Sequence, residues 1–140
     1  MNAQTTKSIA VYVEGNLSKI QEQIVNNAFT SRISSTKGYK AFERNSVFIN
    51  AVNKEHDFQV AGDVSDSQIR KIADKYGVDF VIAVSVLNDE DNLYMSARII
   101  EIETGAIEKS VTQDREGTDN ATLKNMANNV AYRLLNKYSK

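Results

Sequence analysis

Hydrophobic and polar residues recur along this chain with two periods, two and about 3.6, and the switches between them mark its elements. The clearest stretch runs from Tyr76 to Ile107. Val78, Phe80, Ile82, Val84 and Val86 fall on one face of a strand and Val81, Ala83 and Leu87 on the other, so both faces need cover. This is predicted to be the central strand. After the polar turn Asn88–Asn92, Leu93, Met95, Ala97 and Ile99 share one face of a second strand, while Tyr94, Ser96 and Arg98 share the other, as in a strand nearer solvent. Thr104 and Gly105 then turn the chain into Ala106 to Gln113, whose mixed faces and central Lys109 suit an edge strand.

Upstream, Lys7 to Glu14 alternates around Ile9, Val11 and Val13, with Ala10 and Tyr12 reversed, and predicts another central strand. Glu14-Gly15-Asn16 ends it, and Asn16 is the expected N-cap of a helix with Leu17, Ile20, Ile24, Val25, Ala28 and Phe29 on its apolar face. Tyr39 to Glu43 reads as a short second strand, parallel to the first after a crossover. Asn45 or Ser46 is expected to cap a helix carrying Val47, Phe48, Ala51 and Val52 and ending near the polar run from Asn53 to Asp57. Phe58 to Val64 reads as a loop. Ser65-Asp66-Ser67-Gln68 has the form of a capping box, Ile69, Ile72, Ala73 and Tyr76 give the next helix an apolar edge, and Gly77 stands where a left-handed C-cap is wanted. Thr118 or Asn120 starts a last helix, whose Leu123, Met126, Ala127, Val130, Ala131, Leu134, Leu135 and Tyr138 form one stripe.

The expectation is therefore an α/β (α+β) fold: a single domain over 7–138 after a disordered tail at 1–6. Its mixed sheet has about five strands in the order β-α-β-α-α-β-β-β-α, with helices packed on it.

Composition narrows the role. A chain of 140 residues, 41% hydrophobic, can bury one core around one sheet. A net charge of -1 gives no bulk attraction to nucleic acid or an anionic membrane, so no nucleic-acid partner is expected. Without cysteine these residues hold no disulfide, thiolate nucleophile or thiol-linked lipid. They also contain no apolar run of about eighteen residues and no charged-then-apolar leader, so neither a membrane span nor a signal peptide is expected within them. With no proline, the loops are punctuated by glycine, asparagine and serine. Met1 to Thr6 reads either as the remnant of a cleaved secretory leader behind an added initiator methionine, or as an ordinary frayed terminus.

Candidate chemistry is sparse. His56, the only histidine, falls in a charged stretch after a helix, with no partner or pocket in view, and is expected on the surface. Asp89, Glu90 and Asp91 offer oxygen ligands for calcium but lack the alternate spacing and the glycine of a calcium loop, so a solvated hairpin tip is expected. Asn120-Ala121-Thr122 matches a glycosylation sequon at a helix start, where coincidence is the simpler account. No serine has the G-x-S-x-G setting, and no catalytic, cofactor-binding or metal residue is assigned. Gly15 stands alone between a strand and a helix, a weak anion site. For Glu43-Arg44, placed at the end of the second strand, pairing, capping and partner contact are all open to the arginine, and a structural role is the expectation. Glu14, Gly15, Glu43 and Arg44 are nevertheless the candidate contacts, because ligands of α/β sheets gather at the carboxyl ends of parallel strands.

Three stretches in this order carry a resemblance: the strand ending in Glu43-Arg44, Ala73-x-x-x-Gly77-Val78-Asp79-Phe80-Val81-Ile82, and Ala97 to Gly105. Together they resemble the curli-secretion channel protein family and its relatives. Those are the outer-membrane lipoprotein activators of penicillin-binding proteins and the N-terminal domain of the Tol-system periplasmic protein. The resemblance covers most of residues 7–135. It implies a periplasmic α/β domain that acts by protein contact, without catalysis or cofactor, with its leader removed. Val84 replaces a glycine common in that family's central strand, and the lipid-bearing cysteine of its lipoproteins is absent. The hairpin from Ser85 to Arg98 is too short to line a membrane barrel. Two readings follow: a non-catalytic envelope adaptor with a protein partner, compatible with homo-oligomerisation, or a small-ligand-binding or hydrolytic domain using the Gly15 and Glu43-Arg44 loops.

Overall fold

The chain folds in the predicted order. In a computed structural model, which describes residues 6–59 and 65–136, the elements are β1 (Lys7–Gly15), α1 (Lys19–Ser34), β2 (Tyr39–Ala41), α2 (Asn45–Gln59) and α3 (Asp66–Lys75), then β3 (Phe80–Asp89), β4 (Asn92–Glu101), β5 (Ile107–Glu116) and α4 (Asn120–Leu135). The strands form one mixed, open sheet in the order β2-β1-β3-β4-β5. β1 runs parallel to both β2 and β3, and β3, β4 and β5 form an antiparallel meander. β3 is the middle strand, as apolar residues on both of its faces require.

Two cores result, one on each side of the sheet. On the first face Ile9, Val11, Ile82, Val84, Met95 and Ile99 are covered by α1 through Val25, Phe29 and Ile33 and by α4 through Leu123, Met126, Val130 and Leu134. On the second, Ala10, Tyr12, Val81 and Ala83 lie beneath Phe48 and Val52 of α2 and Ile69 and Ile72 of α3. At ~1.5–3 kcal/mol for each large side chain buried, the stripe on α4 is a major contribution to stability. Ties between distant elements complete the frame. Arg98 of β4 grips the Asp66 carboxylate at the start of α3, its Nε lying 3.0 and 3.1 Å from the two oxygens. Arg70 of α3 donates to the carbonyls of Ile102 and Glu103 at 2.7 and 2.8 Å, holding the turn before β5.

Local readings differ at several points. The N-cap of α1 is Ser18, not Asn16, in a reciprocal box with Gln21; that of α4 is Asp119, not Thr118 or Asn120. Asn45 begins α2 rather than capping it. Ile20 is largely exposed, because it lies on the first turn of α1, beyond the sheet cover. β2 stops at Ala41, so Glu43 and Arg44 occupy the turn into α2. That helix runs on through His56, because polar residues such as lysine and glutamate are good helix formers and do not end a helix by themselves. Val78 joins the second core, since the strand's alternation begins only at Phe80, after the left-handed Gly77. β5 begins at Ile107 and reaches Glu116, with an irregularity where Ile99 and Ile100 of β4 pair with Lys109 and Ile107. The capping box at Ser65 and Gln68 and the C-terminal Gly77, with φ +73°, are as predicted. Residues 1–5, 60–64 and Tyr138 lie outside the described residues. None of the described helices is long and apolar enough to cross a membrane.

Candidate functional site

Two hollows meet at the carboxyl end of β1, where Glu14 and Gly15 line both. Gly15 has φ +144°, and a Cβ there would lie 2.0 Å from the Val86 carbonyl oxygen, so only glycine lets the two strands approach this closely. Next to it, the Asn16 amide acts as a peptide group. Its Nδ2 donates to the Asn88 carbonyl and its Oδ1 accepts from the Asn88 N–H, both at 2.8 Å. The ends of β1 and β3 are thereby pinned before the chain turns into α1.

Cross-strand register defines the surface over this end. Glu14, Ser85, Ser96 and Thr112 stand in one row across β1, β3, β4 and β5, with Ser96 and Thr112 hydroxyls 3.3 Å apart. In the next row Leu87 pairs with Tyr94. Toward the other end of the sheet this same face is the second core. At its carboxyl end the helical cover has stopped, and Leu87 and Tyr94 are left 55% and 38% exposed. The result is a shallow trough of about 630 Å³ with Glu14, Gly15 and Asn16 along one side. It offers an aromatic ring, an aliphatic side chain, a row of hydroxyls and one carboxylate, which is binding chemistry.

A second groove, of about 670 Å³, lies on the other side of Glu14 and Gly15, between α1 and α2 along the edge of β1. β2 pairs with β1 only from Lys7 to Ile9. One position further along that edge the Asn45 amide takes the place of a strand: Val11 N–H donates to its Oδ1 at 2.7 Å and its Nδ2 donates to the Val11 carbonyl at 3.0 Å. Tyr12 Oη and Asn53 Oδ1, 2.6 Å apart, tie the middle of α2 to the same strand.

Glu43 and Arg44 do not join Glu14 and Gly15. They line a separate small hollow of about 230 Å³ with Lys40 and Gly77, and the Arg44 guanidinium lies 5.3 Å from the centre of the Tyr76 ring. A single ligand site built from all four residues is therefore not what the fold assembles. Asp89 closes β3, and Glu90, with φ +45°, turns the hairpin. Among the described residues no group of three or more histidine, cysteine, aspartate or glutamate side chains is gathered to hold a metal. At α4, the Asp119 carboxyl is held below its ordinary value by hydrogen bonds from the Thr122 side chain and amide, the amide at 2.8 Å. Asn16 and Asn45 act as backbone mimics, a role that no local sequence pattern marks. Their amide chemistry was visible, but their partners lie on distant segments.

No protein-family model matches the chain, and no curated protein matches it. Solved structures do. The chain is similar to PelC from Paraburkholderia phytofirmans, a dodecamer, at 11% identity and a TM-score of 0.57, covering 99% of this chain and 90% of that one. It is similar to the C-terminal domain of LpoB from Escherichia coli at 13% identity and a TM-score of 0.52, covering 82% and 86%. With TolB from Acinetobacter baumannii it shares 10% identity at a TM-score of 0.55, covering 94% of this chain but 29% of that one. At such identities the likeness is one of fold. LpoB and TolB correspond to two of the relatives that the sequence resembles, and their fold is the one found here.

Proposed function

We propose that this domain is a non-catalytic interaction module of the bacterial cell envelope, periplasmic in location, which holds a protein partner at the carboxyl end of its sheet. The observation that carries the reading is the uncovered trough, where the exposed Leu87–Tyr94 pair is bordered by Glu14 and Gly15. An exposed cross-strand apolar pair beside hydroxyls has the make-up of a contact surface. The shared fold and the sequence resemblance support the envelope setting. Arg44 keeps a structural role over Tyr76, with Glu43 beside it as a separate, minor contact.

The test is cross-linking in the native cell from a photoreactive residue at Tyr94, followed by fractionation. The expected product is an adduct with an envelope protein, absent when Leu87→Asp is introduced. Recovery of the protein from the cytoplasm alone, or an adduct indifferent to Leu87→Asp, would sink the reading. The dodecamer of PelC favours a second reading, in which the partner is another copy of this chain. Sedimentation velocity separates the two: a monomer at micromolar concentration excludes self-assembly through this face.

A further inference from the structure

The edge of β1 continues past the point where its neighbours end. Backbone groups on a strand alternate between its two sides. Lys7 N–H donates to the Gly38 carbonyl, the Ile9 carbonyl accepts from Phe42 N–H, and Val11 is satisfied by Asn45, all on the β2 side. Val13 is next in that series, so its N–H and C=O face the groove between α1 and α2. Among the described residues, no strand or side chain pairs with Val13 on this edge.

We propose that this edge receives an extended segment of a partner polypeptide as an added strand, continuing the ladder from the Asn45 amide past Val13 toward Gly15. The proposal rests on the interaction-module reading and states how one partner is held. Three observations select this occupant. A strand edge is matched by main chain, whose donors and acceptors recur at the same spacing, and the Asn45 amide already occupies one such position. The helices cover both faces of the sheet, and residues of α1 and α2 line the groove on its two sides, so this edge of β1 is walled along its length. Its walls carry Gln23 and Asn27 from α1 and Ser46 and Asn50 from α2, with Lys19 and Glu22 offsetting each other and the Glu14 carboxylate at the β1 end. That lining suits short, uncharged polar side chains such as serine, threonine and asparagine.

The experiment selects heptapeptides from a random phage library against the full chain and resynthesises a selected peptide. Binding is expected to slow hydrogen exchange at the Val13 amide, read by NMR. N-methylation at every second peptide residue should lower affinity by roughly tenfold, about the loss of one hydrogen bond, while methylation at the residues between has little effect. Asn50→Trp, at an exposed wall position, should abolish binding, and Leu87→Asp, on the sheet face, should leave it unchanged. A library that yields no binder, or methylation effects without alternation, or an unprotected Val13 amide, overturns the proposal. Peptide binding that persists when the Tyr94 cross-link fails removes the trough and keeps the edge; the converse keeps the trough and removes the edge.

Discussion

Gly15 and Asn45 show how much a single residue decides at this end of the molecule. Gly15 combines a left-handed φ with a carbonyl where its Cβ would be, and neither condition can be relieved by moving a flexible side chain. Gly15→Ala is expected to destabilise the protein by about 1–3 kcal/mol in urea denaturation, the usual cost of a strained backbone position. Asn45→Ala leaves the Val11 N–H and C=O without their partner, and orphaned buried groups cost about 1–3 kcal/mol each. Asn45→Asp keeps an acceptor for the N–H but loses the donor to the carbonyl, so its loss measured in the same way should be intermediate. The sequence marked Gly15 as a candidate contact and Asn45 as a candidate cap. Their packing reasons were hidden because the partners, Val86 and Val11, lie far along the chain.

Among the elements, the helices differ in how plainly their starts are written. Ser65 to Gln68 forms the capping box its residues spell, and Ser18 to Gln21 has the same form but stands behind Asn16, an equally good cap residue that the strand pairing claims for Asn88. The cap of α4 carries a pH signature. Because Asp119 has a lowered value in the folded protein, its contribution is fully present above the ordinary carboxyl range near pH ~4 and is lost as pH falls through the lowered value. Thermal melts between about pH 2 and 6 should show that decline in the native protein. Asp119→Asn, which keeps an acceptor for Thr122, should remove this part of it. The end of α2 was illegible for a different reason: a polar run is compatible with an outward-facing helix as well as with a loop.

For the molecule as a whole, the buried stripe of α4 and the open face of the sheet weigh very differently in stability. Leu134 is fully buried between α4 and the sheet, and Leu134→Ala is expected to cost about 2–5 kcal/mol in urea denaturation. Leu87→Asp, on the open face, should change the same measurement by no more than about 0.5 kcal/mol. The sequence by itself determined the number, type and order of the elements, the central place of β3, and the buried stripe of α4. These follow from residue periodicity, a local property that burial on one or two faces imposes directly. Only the tertiary structure decided where cover stops. Leu87 continues the alternation of β3 and reads as core, yet α2 and α3, packing from elsewhere in the chain, do not reach it. Tertiary structure also separated Glu43 and Arg44 from Glu14 and Gly15, because β2 pairs no further than Ile9 while β1 runs on to Gly15. An open face and an open edge are set by the relative lengths of distant segments, and no local pattern encodes that difference.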